Sequence, residues 1–396
     1  MSVFNSSNAF TSSSLSEGTS PLVAGMVSFN GLIPLFGITG SVGTSEVEKG
    51  VMVVPNLNDW IARLNKTAFK TIGPTGPWAT EWWAVNNYLL YGGSCIIGGT
   101  GSTGDYFHAS GLLGITKTPL HNKALTNVDI IFDSGNTFSA GAAADAAVNR
   151  KDCIAIIGNY KKITGIPLSG AYATKSTDFG VATNSEYVAY VAGRKKFTAG
   201  AATTVNIRES NLSPDIAGCF ARCARDANIW SAPAGKVRGR ILSVVSMDQQ
   251  FSETDSEYLI AGDVNPVMVY PGEGTFLMGN QTSYDGENAP LNKININSMV
   301  IYLKKQLLTA ARNVLFEIND ARTRQTLISN ISPILERIKT GNGIQNYRVV
   351  CDETNNPQTI VSQNKLVLDV YVQPSYTAEY LVITIINSDT SEAFTG

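Results

Sequence analysis

A β-strand that is apolar on both faces has to be covered on both, and residues 379–387 (EYLVITIIN) form such a segment. The nine residues after it, SDTSEAFTG, are mostly polar and hold no further strand. Residues 22–29, set off by Pro21 and Gly31, stand in the same way ahead of the regular part of the chain. An unpaired strand edge is a template for association. Strand addition satisfies main-chain donors and acceptors while alternate side chains fill pockets. Both segments are therefore expected to be donated to neighbouring subunits. Leu22, Val23, Met26, Val27 and Phe29 would act at one end, and Tyr380, Val382, Thr384 and Ile386 at the other. The alternative, that each strand completes its own subunit's sheet, stays open on the sequence.

Between these ends, short apolar runs alternate with helical patterns. Strands are expected at 32–39, 50–55, 94–97, 128–132 and 153–157, with helices at 59–65, 78–91 and 140–148. Asn56 and Asn58 are placed to cap the first helix. Residues 186–192 fit a strand or a short helix, and 214–228 a helix. Residues 297–314 follow as an amphipathic helix with the stripe Val300, Leu303, Leu307, Ala311 and Val314, Lys305 and Arg312 pointing away. Asp320 caps a second, running to Lys339, with Leu327, Ile328, Ile331, Ile334, Leu335 and Ile338 inward. Pro333 is expected to kink it, since a mid-helix proline costs roughly 3 kcal/mol. Strands at 347–351 and 365–373 then form a natural acceptor sheet for a donated strand, through Tyr347, Val349, Val367, Asp369 and Tyr371. The fold class is α/β (α+β), with a body followed by a smaller C-terminal unit.

Composition excludes several functions. Charged residues are 16% against roughly 25% in ordinary soluble domains, which suits a surface mostly covered by neighbours. A net charge of −2 gives no case for direct nucleic-acid binding. No run of 18 apolar residues offers a membrane span, and the Ser-rich leader lacks the pattern of a signal peptide. The five scattered cysteines are expected to be reduced and buried. GTGSTG at 99–104 has dinucleotide-loop spacing, but neither a convincing helix nor an acidic strand end follows, so a plain Gly-rich loop is expected. The two histidines, His108 and His121, lie in no catalytic motif. Asp352 and Glu353 are adjacent in a polar turn, DETNNP, and make a poor acid/base pair. No cofactor, metal site or catalytic residue is expected.

Local charge is uneven. Residues 288–348 carry nine Lys/Arg against three acidic residues, whereas 351–396 carry one Lys against six. Phe316, Glu317, Asn319 and Asp320 between the helices of this basic unit, then Cys351, Asp352, Asn355 and Asn356, then Pro374, Thr377, Ala378 and Glu379, follow a pattern that resembles the contractile tail sheath family of phages, R-type bacteriocins and, more distantly, type VI secretion systems. Residues 213–241, with an A-G-x-x-A-R-x-D helix leading into WSAPAG, agree. So do YLLYGGSCIIGG and VVPNLNDWIARLN. Leu22 stands where the family's S-P-G opening has Gly.

The resemblance implies a structural subunit. Its parts would be an N-terminal arm (1–31), an outer body (32–287), an inner, tube-facing domain (288–378) and a C-terminal arm (379–396). It implies hexameric rings in a helical lattice of the chain itself around a tail tube protein, with baseplate and tail terminator proteins as further partners. It implies assembly in the host cytoplasm, residence in the virion tail, and contraction that drives the tube through the host envelope without stable membrane association. The basic helical unit would then meet acidic groups on the tube through Arg322, Arg324, Arg337 and Lys339, with Lys305 and Arg312 as second choices. Alternatives are the sheath of a DNA-free, bacteriocin-like injection particle and a non-contractile virion structural protein.

Overall fold

The computed structural model describes residues 30–35, 51–54, 56–62, 79–99, 127–133, 135, 137–163, 178–199, 206–286 and 289–377. The two segments expected to be donated, both histidines and residues 100–104 of the Gly-rich loop lie outside the described residues.

The chain alternates strand and helix as its apolar runs require. β1 (Asn30–Leu35), β2 (Val51–Val54), α1 (Leu57–Ala62), α2 (Ala79–Leu89) and β3 (Ser94–Gly99) come first. The Asn56 side chain accepts the Asp59 amide at 2.9 Å, as a cap for α1. β4 (Ile130–Phe132), α3 (Thr137–Arg150), β5 (Ile154–Gly158) and β6 (Val188–Ala192) follow. β7 (Arg194–Ala199), β8 (Asn206–Asn211) and β9 (Ser246–Met247) form a separate three-stranded sheet, and α4 (Ser213–Asp226), α5 (Gly235–Arg238) and α6 (Glu253–Ala261) lie in the same stretch of chain. β10 (Val264–Tyr270) and β11 (Gly274–Leu277) return to the first sheet, whose order is β11-β10-β6-β5-β4-β1-β3-β2. From β10 to β3 all neighbours are parallel, and β2 and β11 close the edges antiparallel.

β5 and β6 are buried along their whole length, because helices cover both faces of the sheet. Alternation along each strand divides the core in two. Ile130, Phe132, Ile154, Ile156, Ala189 and Val191 face one side with α2 and α4. Ile131, Ala155, Ile157, Val188 and Tyr190 face the other with α3. There Ala140, Ala143, Ala144 and Ala147 let the helix approach closely.

The first core runs on into the C-terminal unit. This consists of α7 (Ile294–Ala311), α8 (Ala321–Thr340), β12 (Ile344–Val350), α9 (Gln358–Val361) and β13 (Asp369–Pro374). Trp230, from the WSAPAG turn, is the joint. Its indole donates to the Gly341 carbonyl at 2.7 Å, and its ring lies 6.2 Å from that of Tyr302 on α7. Cβ atoms on Gly341 and Gly343 would sit 2.5 and 2.9 Å from the indole, so both positions need glycine.

Candidate assembly surface

A doubly wound sheet binds ligands outside the carboxyl ends of its strands, where the strand order reverses. The order here reverses between β1 and β4, and the neighbouring ends of β4 and β5 are filled by the chain itself. The Asp133 carboxylate accepts the amides of Gly135 and Gly158 at 2.9 and 3.0 Å and the Asn211 side-chain amide at 2.8 Å. Ser213 Oγ donates to the Asp133 carbonyl at 2.9 Å. Burial pushes the Asp133 carboxyl up to about 6 despite these donors. A second buried cluster joins α4 to the small sheet. Asp215 accepts from Lys195 Nζ at 2.8 Å and from Tyr91 Oη at 2.9 Å, and the Lys195–Asp215 pair is fully buried. Burial raises the Asp215 carboxyl, while Lys195 and Tyr91 oppose it. Both clusters are internal braces, turned inward on already packed elements. All five cysteines are buried and unbridged, and burial pushes the Cys219 and Cys223 thiols up to about 12 and about 11.

The C-terminal unit is built differently. β12 and β13 pair antiparallel with each other and, among the described residues, with no other strand. Their side chains are largely half-exposed or exposed. Tyr347 and Val349 lie on β12 opposite Val372 and Val370, and Tyr371 and Asp369 lie on β13 opposite Arg348 and Val350. These four acceptor residues therefore share one ladder. Val367 does not. The expected strand from residue 365 begins only at Asp369, because the Asn356 side chain takes Val367's backbone first. Asn356 Oδ1 accepts the Val367 amide at 2.7 Å, and Asn356 Nδ2 donates to its carbonyl at 2.8 Å. Asp352 and Glu353 lie exposed in the turn before it, with Asp352 accepting the Thr354 amide at 2.9 Å.

The four basic residues assigned to the tube separate. Arg322 and Arg337 are exposed on α8, and Lys339 is half-buried with its ammonium 5.7 Å from the centre of the Tyr347 ring. Arg324 is buried, and its Nε donates to Asn319 Oδ1 at 2.9 Å. The reason is helical spacing: residues 324, 327, 331, 335 and 338 share the inward stripe, and Arg324 heads it. Lys305, expected to point outward, instead binds Asp129 at 2.6 Å and the Val128 carbonyl at 2.8 Å, tying α7 to the entry of β4. Arg312 is half-buried in the short 3-10 turn after α7. α8 continues through Pro333, which sits on the exposed side. Hydroxyls of Thr326, Ser329 and Ser332 back-bond to carbonyls four residues earlier along the same helix.

The fold is that of solved sheath subunits. The chain superposes on a component of the anti-feeding prophage baseplate with a TM-score of 0.72, covering 93% of this chain and 98% of that one at 14% identity. The sheath complex of an extracellular contractile injection system (PVC) in its contracted state gives 0.71, over 94% of both chains, also at 14% identity. Residues 287–386 match the family model of the phage tail sheath C-terminal domain. The tail sheath protein of Enterobacteria phage T4 is 30% identical over 255 residues, 62% of this chain and 38% of that protein. The tail sheath protein of Vibrio phage KVP40 is 34% identical over 185 residues, 46% of this chain and 27% of that protein. The chain thus spans well under half the length of these relatives.

Proposed function

We propose that this chain is the structural subunit of a contractile phage tail sheath. It polymerises on itself as rings or a helix around a tail tube and contracts to drive the tube through a host envelope. The observation that carries this reading is the two-stranded β12–β13 sheet, half-exposed and paired only with itself among the described residues. It lies in the segment that matches a sheath C-terminal domain. The sequence that follows it, residues 379–387, is apolar on both faces. Strand donation from residues 22–29 and 379–387 of neighbouring copies would complete such a sheet. In this reading residues 32–287 form the outer body and 288–378 the tube-facing domain. Work comes from a packing switch between two subunit arrangements, with no chemical step.

Arg322, Arg337 and Lys339 remain the residues proposed to meet the tube. Exposed ion pairs are each worth only about 0–1 kcal/mol, so they act as a repeated array. Baseplate and terminator proteins would cap the polymer, and assembly would take place in the host cytoplasm. The test is negative-stain microscopy of the purified full chain, alone and with a tube protein. Hollow sleeves are expected. Closed shells or small discrete oligomers would overturn the proposal.

A further inference from the structure

The link between α7 and α8 contains a residue in the wrong place for a monomer. The Glu317 amide bonds the Val314 carbonyl at 3.3 Å, closing a four-residue turn. Leu315 has φ −66° and ψ 137°, and Phe316 has φ +68°. This is a type II turn, and Phe316 fills the position whose left-handed backbone favours glycine or asparagine. A bulky side chain there is strained. Burial does not compensate for the strain, since Phe316 is 103% exposed and Ile318, two residues on, is 80% exposed.

The turn is nevertheless held rigidly. Asp320 Nα–H bonds the Ile318 carbonyl at 2.9 Å, and Asp320 Oδ1 caps α8 through the Thr323 amide at 2.7 Å. Buried Arg324 grips Asn319 Oδ1, and Asn319 Nδ2 donates to the Lys365 carbonyl at 2.8 Å. That last bond seats the turn against the segment that becomes β13, at one end of the sheet proposed to accept a neighbour's strand. Rigid presentation of an apolar group lowers the ordering cost of binding.

We infer that Phe316 and Ile318 form an apolar knuckle that docks on a second copy of this chain, against its residues 379–387. Read as a donated strand, that segment would present a second apolar face, Leu381, Ile383 and Ile385, which edge pairing alone leaves uncovered. The inference rests on the strand-donation reading, and adds to it which residues clamp the incoming strand.

The experiment places a photo-crosslinking benzoylphenylalanine at position 316 of the full chain, assembles it with tube protein, irradiates, and maps the products by mass spectrometry. Links to residues 379–387 of another copy are expected. Links only to tube protein, only within one chain, or none above background overturn the knuckle. Alongside it, the double variant Phe316→Asn/Ile318→Ser should lower polymer yield about tenfold or more. Its monomer melting temperature should be unchanged or raised, because asparagine accepts the left-handed turn position. Undiminished polymer from this variant also overturns the knuckle. If it assembles normally while a chain ending at Ala378 does not, strand donation stands and the knuckle alone falls.

Discussion

The body and the C-terminal unit share one core yet close their surfaces in opposite ways. In the body, β5 and β6 are sealed on both faces, and buried charges such as Lys195, Asp215 and Asp133 are braced by their own chain. In the C-terminal unit, two strands carry mostly half-exposed side chains, and Phe316 and Ile318 stand in solvent. Among the described residues the body is thus closed by its own chain, and the C-terminal unit is the part proposed to be completed by another copy. Stability resides mainly in one region and association in the other, so substitutions should sort accordingly.

The sharpest division is expected at the buried brace. Lys195→Ala leaves Asp215 buried with its counter-ion gone, and should cost about 3–5 kcal/mol of stability in denaturant unfolding. A loss under about 1 kcal/mol would show that the brace is dispensable. Trp230→Ala empties the joint between the two regions and should cost a similar amount, about 3–5 kcal/mol. The shared core and the Asn280–Asn295 and Asn297–Glu186 hydrogen bonds also join the regions, so the variant should still melt in one step; two separate transitions would show that Trp230 alone couples them.

A smaller effect is the pH dependence that the body's buried carboxyls contribute. Asp133 is raised from 3.8 to about 6 in the folded chain, so the native state binds a proton more readily than the unfolded chain. Its contribution is therefore most favourable below about pH 4 and is lost as pH rises to about 6, by about 3 kcal/mol. Burial raises Asp215, Asp145 and Asp178 in the same direction. Melting curves across this window should show a shallower slope in Asp133→Asn; an unchanged slope would remove Asp133 from the account. The smallest effect on the monomer belongs to Arg322→Glu/Arg337→Glu. Stability should shift by less than about 1 kcal/mol, while co-assembly with tubes at physiological salt falls. Undiminished co-assembly would count against the tube contact.

Much of the body was legible because its signals are local. Apolar runs at 94–97, 128–132 and 153–157 became β3, β4 and β5, and the capping residue Asp320 opens α8 as expected. The small sheet escaped notice for a physical reason. β7 reads RKKFTA, and its inward positions are Lys195, Phe197 and Ala199, so a buried charge interrupts the apolar alternation. β8, NIRESN, has one apolar residue. α6 did carry a signal, the Ser252–Asp255 capping box, but its short helix has little apolar periodicity to support it. Arg324 was misplaced because charge suggested surface, where its spacing from Leu327 and Ile331 meant burial. Val367 was placed in a strand by alternation, and only the fold reveals that an asparagine side chain takes its backbone first.

In the proposed assembly the C-terminal unit is finished by a strand from another copy. The most direct test removes the residues after Ala378 and images the purified chain with tube protein by electron microscopy. A soluble chain with the melting transition of the body intact and no sheaths is expected. Sheaths of normal length that contract without fragmenting would contradict it.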